Sequence, residues 1–580
     1  MKISYFLGMQ NPETHYFRVR IVLEECPEEI LLLTMPAWTP GSYVIRDFAR
    51  NVRSLSASSN GYVLESSKKD KSTWKITTGR KSPITVEYEV YADEDVPQTS
   101  HLDFSHALIN GTSVFLYPEG YKEQTLELTL EIPPEWKVSS ALEKISDHRF
   151  RATNYDILVD SPIEVGNHEL LSFRVEGKDH EIAIHGKFME DREKLVRDMT
   201  RIVEAYQKTM GQLPYRKYLF IIHLQNEGNG YGGLEHSYST VINYDANLIA
   251  DKEGYREFLG VVAHEFFHLW NVKRIRPAEL VQLNYREETY TPSLWFSEGI
   301  TEYYANLTLL RSGIQTEEEF LKKIAENIRM YELIPGRKYY SAAEASFDAW
   351  IKLYKYSPNN INSYVSYYLK GMLIGMILSR RIVSATRGNR SLDDLMRLMM
   401  EKYRKDGRGF TGKDIIQNLR EVTGTDMSET FQQLVRSRDE IDFRSELVSV
   451  GLSLEQVPAD SRKVSTGIIL KKSGEKFVIE SLIEGTPAYS AGLNSGDEIV
   501  AVSGTRFTEA FTRKPLNRRI VTDNVLPDAN GKVVYHVFRK GELMPFAVDA
   551  AYDPFFTYSL KMSEEAADNV KVMRNRLLYG

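Results

Sequence analysis

The chain has 580 residues, 42% hydrophobic and 26% charged, an ordinary globular composition at a length that implies about three or four domains. A net charge of −7 excludes a general basic surface for nucleic acid or anionic lipid, and no run approaches the ~18 consecutive apolar residues of a membrane span. A single cysteine, Cys26, excludes an internal disulfide framework; the start lacks a signal-peptide pattern, so a cytoplasmic protein is expected.

In chain order, residues 1–170 carry alternating apolar and polar runs such as THYFRVRIVLEE, SPITVEYEVYA and QTLELTLEIP, broken by Pro, Gly and Asn turns. This predicts an all-β, sandwich-like domain of packed sheets. From about 171 the pattern changes to a helix (EKLVRDMTRIVEAYQKTMG), an apolar strand (KYLFIIHLQ) and a glycine-rich segment, YGGLEHS. Helical periodicity then dominates to about 445, through LGVVAHEFFHLWNV, the segment after LWFSEG, and SYYLKGMLIGMILSRRI. Residues 446–555 return to short strands, and 556–580 are expected to be a tail helix. The fold class expected is multidomain α+β.

His264-Glu265-Phe266-Phe267-His268 is an HExxH box within an apolar helix. Side chains four positions apart share a helix face, so His264 and His268 can hold one zinc ion, with Glu265 beside it to activate a bound water. Thirty positions past His268, Glu298 sits in the apolar and aromatic run LWFSEGITEYY, where a buried carboxylate needs a partner; a His₂Glu zinc set supplies one. Glu302, one turn on, is placed to accept the outer ring N–H of a zinc-bound histidine. The alternatives are a first-turn carboxylate at a helix N-terminus for Glu298 and a solvated helix carboxylate for Glu302. In YGGLEHS, Gly232 and Gly233 would let an extended peptide approach the backbone along a strand edge, with Glu235 adding a negative charge. Lys273, Arg274 and Arg276 read as C-terminal-turn charges of the HExxH helix and as ion-pair members rather than catalysts.

HEFFHLWNVKRIRP followed by LWFSEGITEYY resembles the glycyl aminopeptidase family of zinc metallopeptidases, which are thermolysin-like gluzincins. Tyr231 to His236, the segment Trp38-Thr39-Pro40-Gly41-Ser42-Tyr43 and NGTSVFLYPEG at 110–120 share in the likeness. The gap between His268 and Glu298 is longer than in better-known gluzincins. The resemblance implies a mainly helical zinc peptidase domain over 171–445 and one Zn2+ on His264, His268 and Glu298. It also implies Glu265 as base and Glu235 on the free α-amino group of a peptide. His236 stands where better-known aminopeptidases have Asn, and its role is open. Tyr367-Tyr368-Leu369-Lys370-Gly371 resembles a Tyr-x-Lys-Gly motif whose tyrosine donates to the oxyanion, making Tyr368 the candidate and Tyr367 its rival. Removal of N-terminal glycine or alanine from peptides is the implied activity.

VIESLIEGTPAYSAGLNSGDEIVAVSGTRF resembles a PDZ domain within 446–555. That implies capture of a peptide or C-terminus by strand addition, although Ser465-Thr466-Gly467-Ile468 departs from the usual glycine-rich carboxylate loop. A domain that only packs on the catalytic part is the alternative. Two other functions remain open: a zinc endopeptidase with PDZ-assisted recruitment, and a non-catalytic peptide-binding scaffold. The intact HExxH and Glu298 set argues against the scaffold.

Overall fold

The computed structural model describes residues 2–225, 232–458, 462–512, 520–521, 524–550 and 556–580. Two compact units emerge, residues 1–289 with 402–409, and residues 290–401 with 410–580.

The first unit begins as the alternation dictates. In strand Tyr16–Leu23 the even-spaced Phe17, Val19, Ile21 and Leu23 are buried while arginines 18 and 20 face outward. This strand lies in a mixed eight-stranded sheet in which Ile3–Gly8 and Leu126–Glu131 run parallel. Two four-stranded sheets accompany it. The expected second layer is therefore split, because its strands are short: Tyr117–Pro118 and His101–Leu102 have two residues each. One core unites the layers, with Tyr5, Phe115 and Tyr155 among its members.

A mixed five-stranded sheet follows: Glu169–Val175, Lys178–His185, Lys217–Gln225, Ser239–Asp245 and Gly232–Glu235, in that spatial order. Lys217–Gln225 is buried on both faces, as its unbroken apolar run requires. On one face Leu219 and Ile221 pack with Ala183, Val241 and Leu108, the last from the preceding β-region. On the other, Phe220 meets Phe266 of the helix Lys252–Phe267, ring centres 5.6 Å apart. Among the described residues Gly232–Glu235 pairs only with Ser239–Asp245, antiparallel, at the end of the sheet order.

In the second unit, helix Thr301–Arg311 is preceded by a π-helical turn, Trp295–Ile300, and packs with Tyr367–Ala385. A buried ion pair, Arg311–Asp393 at 3.0 Å, ties Thr301–Arg311 to helix Leu392–Asp406. A separate seven-stranded sheet contains Ile468–Ser473, Lys476–Leu482, Glu498–Val502, Lys532–Arg539 and Glu542–Asp549, with the short helix Pro487–Ser490 between the second and third. The tail departs from expectation. Helix Asp568–Tyr579 starts late, and Phe556–Met562 is instead a strand paired with Leu452–Pro458. Its alternation of Phe556, Tyr558 and Leu560 suits a strand, and that ribbon lies outside the seven-stranded sheet. Among the described residues no helix is long and apolar enough to cross a membrane.

Candidate active site

The HExxH helix starts on a firm cap: the Asp251 carboxylate accepts from the Gly254 N–H at 2.8 Å. It ends at Phe267, with His268 at the C-cap but still in right-handed conformation, so the two histidines keep one-turn spacing. Their rings lie 4.8 Å apart, steeply inclined, and both are buried. Tyr206 anchors the helix by donating its hydroxyl to the Ala263 carbonyl at 2.9 Å and stacking on Phe267. The Nδ1 of His268 lies 2.7 Å from the Asn271 carbonyl oxygen. A carbonyl only accepts, so Nδ1 carries the proton and Nε2 presents its lone pair, the state a zinc ligand requires. The residues present therefore suit a zinc ion. Sequence reasoning missed this support, because a backbone carbonyl three residues on carries no side-chain signal.

Glu235, Glu265 and His268 converge: one ligand atom from each lies within 4.8 Å of the other two. Glu235 and Glu265 are only 4% and 6% exposed, so the two carboxylates face each other out of bulk water. Such a pair favours a cation between or beside them. The edge strand is pressed onto Glu265. A Cβ on Gly233 would fall 2.2 Å from the Glu265 carboxyl carbon, so any side chain there would push that carboxyl aside. Gly41, at φ +95°, similarly covers Glu235, 2.6 Å from one carboxylate oxygen by the same construction. The Trp38–Tyr43 segment thus becomes a wall of the site. It is held by Trp38 Nε1 donating to the Asn284 carbonyl at 2.8 Å and by the Thr39–Thr112 hydroxyl pair at 2.7 Å, which also brings in NGTS. Gln98 donates to the Gly233 carbonyl at 3.4 Å. Tyr231 lies outside the described residues.

His236 has a clear place. Its Nδ1 is 3.2 Å from Asp160, and Lys273 Nζ is 2.9 Å from the same carboxylate. Asp160 is held well below the usual carboxylate range: burial opposes ionisation, but Lys273 and His236 outweigh it. Lys273 is therefore a buried member of an ion pair. Arg274 does cap the helix end, donating to the Leu269 carbonyl at 2.6 Å and to the Pro214 carbonyl at 3.1 Å.

Glu298, Glu302, Tyr367 and Tyr368 lie in the second unit. Glu298 is 2% exposed in the π-helical turn. The next residue, Gly299, meets Gly371 backbone to backbone: a Cβ on Gly299 would fall 2.3 Å from Gly371 Cα. Glu302 accepts from the Asn306 side chain at 3.1 Å. Tyr367 is fully buried, and its hydroxyl is pushed well above its ordinary pKa by burial first, then by Tyr354, Tyr368 and the Glu298 charge. Tyr368 stacks on Tyr367 with ring centres 4.8 Å apart, and its hydroxyl is 3.5 Å from that of Tyr354; it is half-buried.

Residues 4–167 match the family model of the peptidase M61 N-terminal domain, and residues 257–374 match that of the M61 glycyl aminopeptidase. The latter stretch includes the HExxH box, Glu298 and Tyr368. A solved aminopeptidase N family protein from Idiomarina loihiensis is 29% identical, with a TM-score of 0.90 over 98% of this chain and 99% of that one. An M1 zinc metallopeptidase from Deinococcus radiodurans is 12% identical, with a TM-score of 0.48 over 76% of this chain and 94% of that one. Aminopeptidase A from Legionella pneumophila is 14% identical, with a TM-score of 0.47 over 83% and 55%. No curated protein matches. The matches to the M61 models and to the Idiomarina structure support an aminopeptidase in general terms.

Proposed function

We propose that the chain is a zinc aminopeptidase of the M61 glycyl aminopeptidase kind, removing one residue, glycine or alanine by family likeness, from the free N-terminus of a peptide. The observation that carries this reading is the meeting of Glu235 with Glu265 and His268 at a sheet edge. A general hydrolytic site needs the base and the metal ligand. A second buried carboxylate beside them suits a substrate ammonium, which fixes the cut one residue from the end.

His264, His268 and Glu298 would hold one zinc ion, which when bound polarises the scissile carbonyl and lowers the pKa of water. Gly232 and Gly233 present the edge-strand backbone to the extended substrate. Glu265 takes a proton from the attacking water and returns it to the leaving amine. The lack of a side chain at Gly233 leaves room for the Glu265 carboxylate. Tyr368 donates its hydroxyl to the developing oxyanion, an interaction stronger in the transition state than in the ground state. Because His268 already donates its outer nitrogen to Asn271, Glu302 would serve His264.

The test compares Gly-peptides with free and N-acetylated termini, on protein whose zinc content is measured. Hydrolysis of the free peptide alone, abolished by chelator, is expected. Equal hydrolysis of both would establish an endopeptidase and overturn the reading of Glu235.

For the region 446–555, a PDZ-like module with a packing role is the second reading. Within the second unit Asn362 donates to the Leu482 carbonyl at 2.9 Å and accepts from the Glu484 N–H at 2.8 Å, and Tyr356 pairs with Ser481 at 2.7 Å. These contacts favour attachment to the helical part over capture of a free C-terminus.

A further inference from the structure

Four of the chain's twelve histidines gather away from the HExxH helix, where the β-region meets one face of the five-stranded sheet. His101, His106, His185 and His223 are joined there by Asp95, Asp103 and Glu164. Strand geometry explains part of the gathering. His101–Leu102 and His106–Ile109 form a hairpin in which Leu102 faces Ala107, so His106 falls opposite Asp103. Residues two apart share a face, which puts His101, Asp103 and His106 on one side. One ligand atom from each of these three lies within 4.8 Å of the other two.

We infer that His101, Asp103 and His106 form a second divalent-metal site, suited to a borderline transition ion such as Zn2+ or Co2+ and separate from the HExxH centre. Two histidines on one near-tetrahedral ion, with Zn–N bonds of about 2.0 Å, place their ring centres about 5 Å apart. The His101 and His106 rings are 5.1 Å apart and tilted by 34°; the HExxH pair, read independently as ligands, stands at 4.8 Å. His101 Nε2 lies 3.5 Å from Asp103 Oδ2, a separation that two ligands of one ion adopt.

The support around the three residues has the form of a metal site. Glu164, fully buried, faces His106 Nδ1 at 3.1 Å, so that nitrogen donates to the carboxylate and Nε2 is left with its lone pair. A carboxylate behind a ligating histidine fixes its tautomer and orientation. Asp103 is fixed too, its Oδ1 accepting from the Ser105 N–H at 2.7 Å, the Ser105 hydroxyl at 2.6 Å and the His106 N–H at 3.0 Å. His185 is a wall rather than a ligand. Its ring stacks on His106 at 3.5 Å and 14°. An imidazole nitrogen binds an ion in its own ring plane, so two parallel stacked rings cannot both reach one ion. Asp103 and His101 side chains keep 25% and 12% of their surface exposed, which gives an ion a route in.

Chelator-stripped full-length protein titrated with Co2+, followed by visible absorption and by elemental analysis, tests the assignment. Two equivalents are expected in the unaltered chain and one fewer in His101→Gln. Asp103→Asn should match His101→Gln, since it keeps Oδ1 for the turn. These two positions are chosen because His106 is bonded into the core and its replacement risks unfolding. The difference between unaltered and His101→Gln protein decides the site whatever happens at the HExxH helix, which a His264→Gln/His268→Gln variant reads separately. Equal cobalt content in folded unaltered and His101→Gln protein would overturn the proposal and leave the cluster an ion-pair network only.

Discussion

Gly233 has no space for a methyl group, because the atom it would meet is the carboxyl of Glu265. That carboxyl ends a flexible side chain and can move aside at little cost in stability, but the proposed base then leaves its working position. Gly233→Ala is expected to keep its metal content and melting temperature while losing about 100-fold or more in kcat, the scale of a misplacement near 1 Å. Steady-state kinetics with metal analysis check this; normal turnover would remove Glu265 from the mechanism. Glu265→Gln is expected to retain zinc and lose about 10²- to 10⁴-fold in turnover. The identities of these residues were legible in HExxH and GGLE. Their contact was not, since they lie more than thirty positions apart and meet only when an edge strand covers a helix.

At the scale of elements, the crossing of the π-helical turn Trp295–Ile300 with helix Tyr367–Ala385 rests on two glycines. A Cβ at Gly371 would fall 2.4 Å from the Trp295 carbonyl oxygen, and backbone cannot yield as a side-chain tip does. Gly371→Ala is therefore expected to destabilise the protein by about 3 kcal/mol, read as a lower urea midpoint. Activity should fall with it, because Tyr368 is carried on the same helix. An unchanged midpoint would show that the two helices separate easily. The amphipathic runs announced both helices. The π turn was not readable, because no side-chain pattern marks a change from i→i+4 to i→i+5 bonding. The tail strand Phe556–Met562 was missed for a similar reason: its partner, Leu452–Pro458, lies about a hundred residues earlier.

Across the first unit, Asp95, His223 and Glu164 form a charge network in which His223 and Glu164 are fully buried. His223 is raised to about 10: burial alone would lower it, and Glu164 and Asp95 outweigh burial. Both carboxylates are correspondingly held below their usual range by His223, against the effect of burial. A raised histidine stabilises the fold fully below its unfolded value of about 6.5, and that contribution is lost as pH rises through about 10. The depressed carboxylates act in the other direction, contributing above their unfolded value of about 4 and losing that contribution as pH falls. The network should therefore help most near pH 5 to 6.5, with the urea midpoint declining from there toward pH 10. His223→Gln should flatten that alkaline decline. It should also cost about 3–5 kcal/mol at pH 6, because it leaves buried carboxylates without their cation. A decline of the same slope in the variant would assign it to other groups.

The sequence by itself determined the chemistry on offer: a two-histidine helix with an adjacent acid, a glycine pair before Glu235, and alternating strands ahead of a helical region. Each of these is local, set by the period of a strand or helix and by what a side chain can donate or bind. Tertiary structure decided which groups meet. It set Gly41 over Glu235, joined His236 and Lys273 through Asp160, and turned the His268 ring by the Asn271 carbonyl. It also gathered four histidines that no motif announced. Those pairings depend on sheet order and on the packing of one layer against another, and periodicity within a segment holds no record of either.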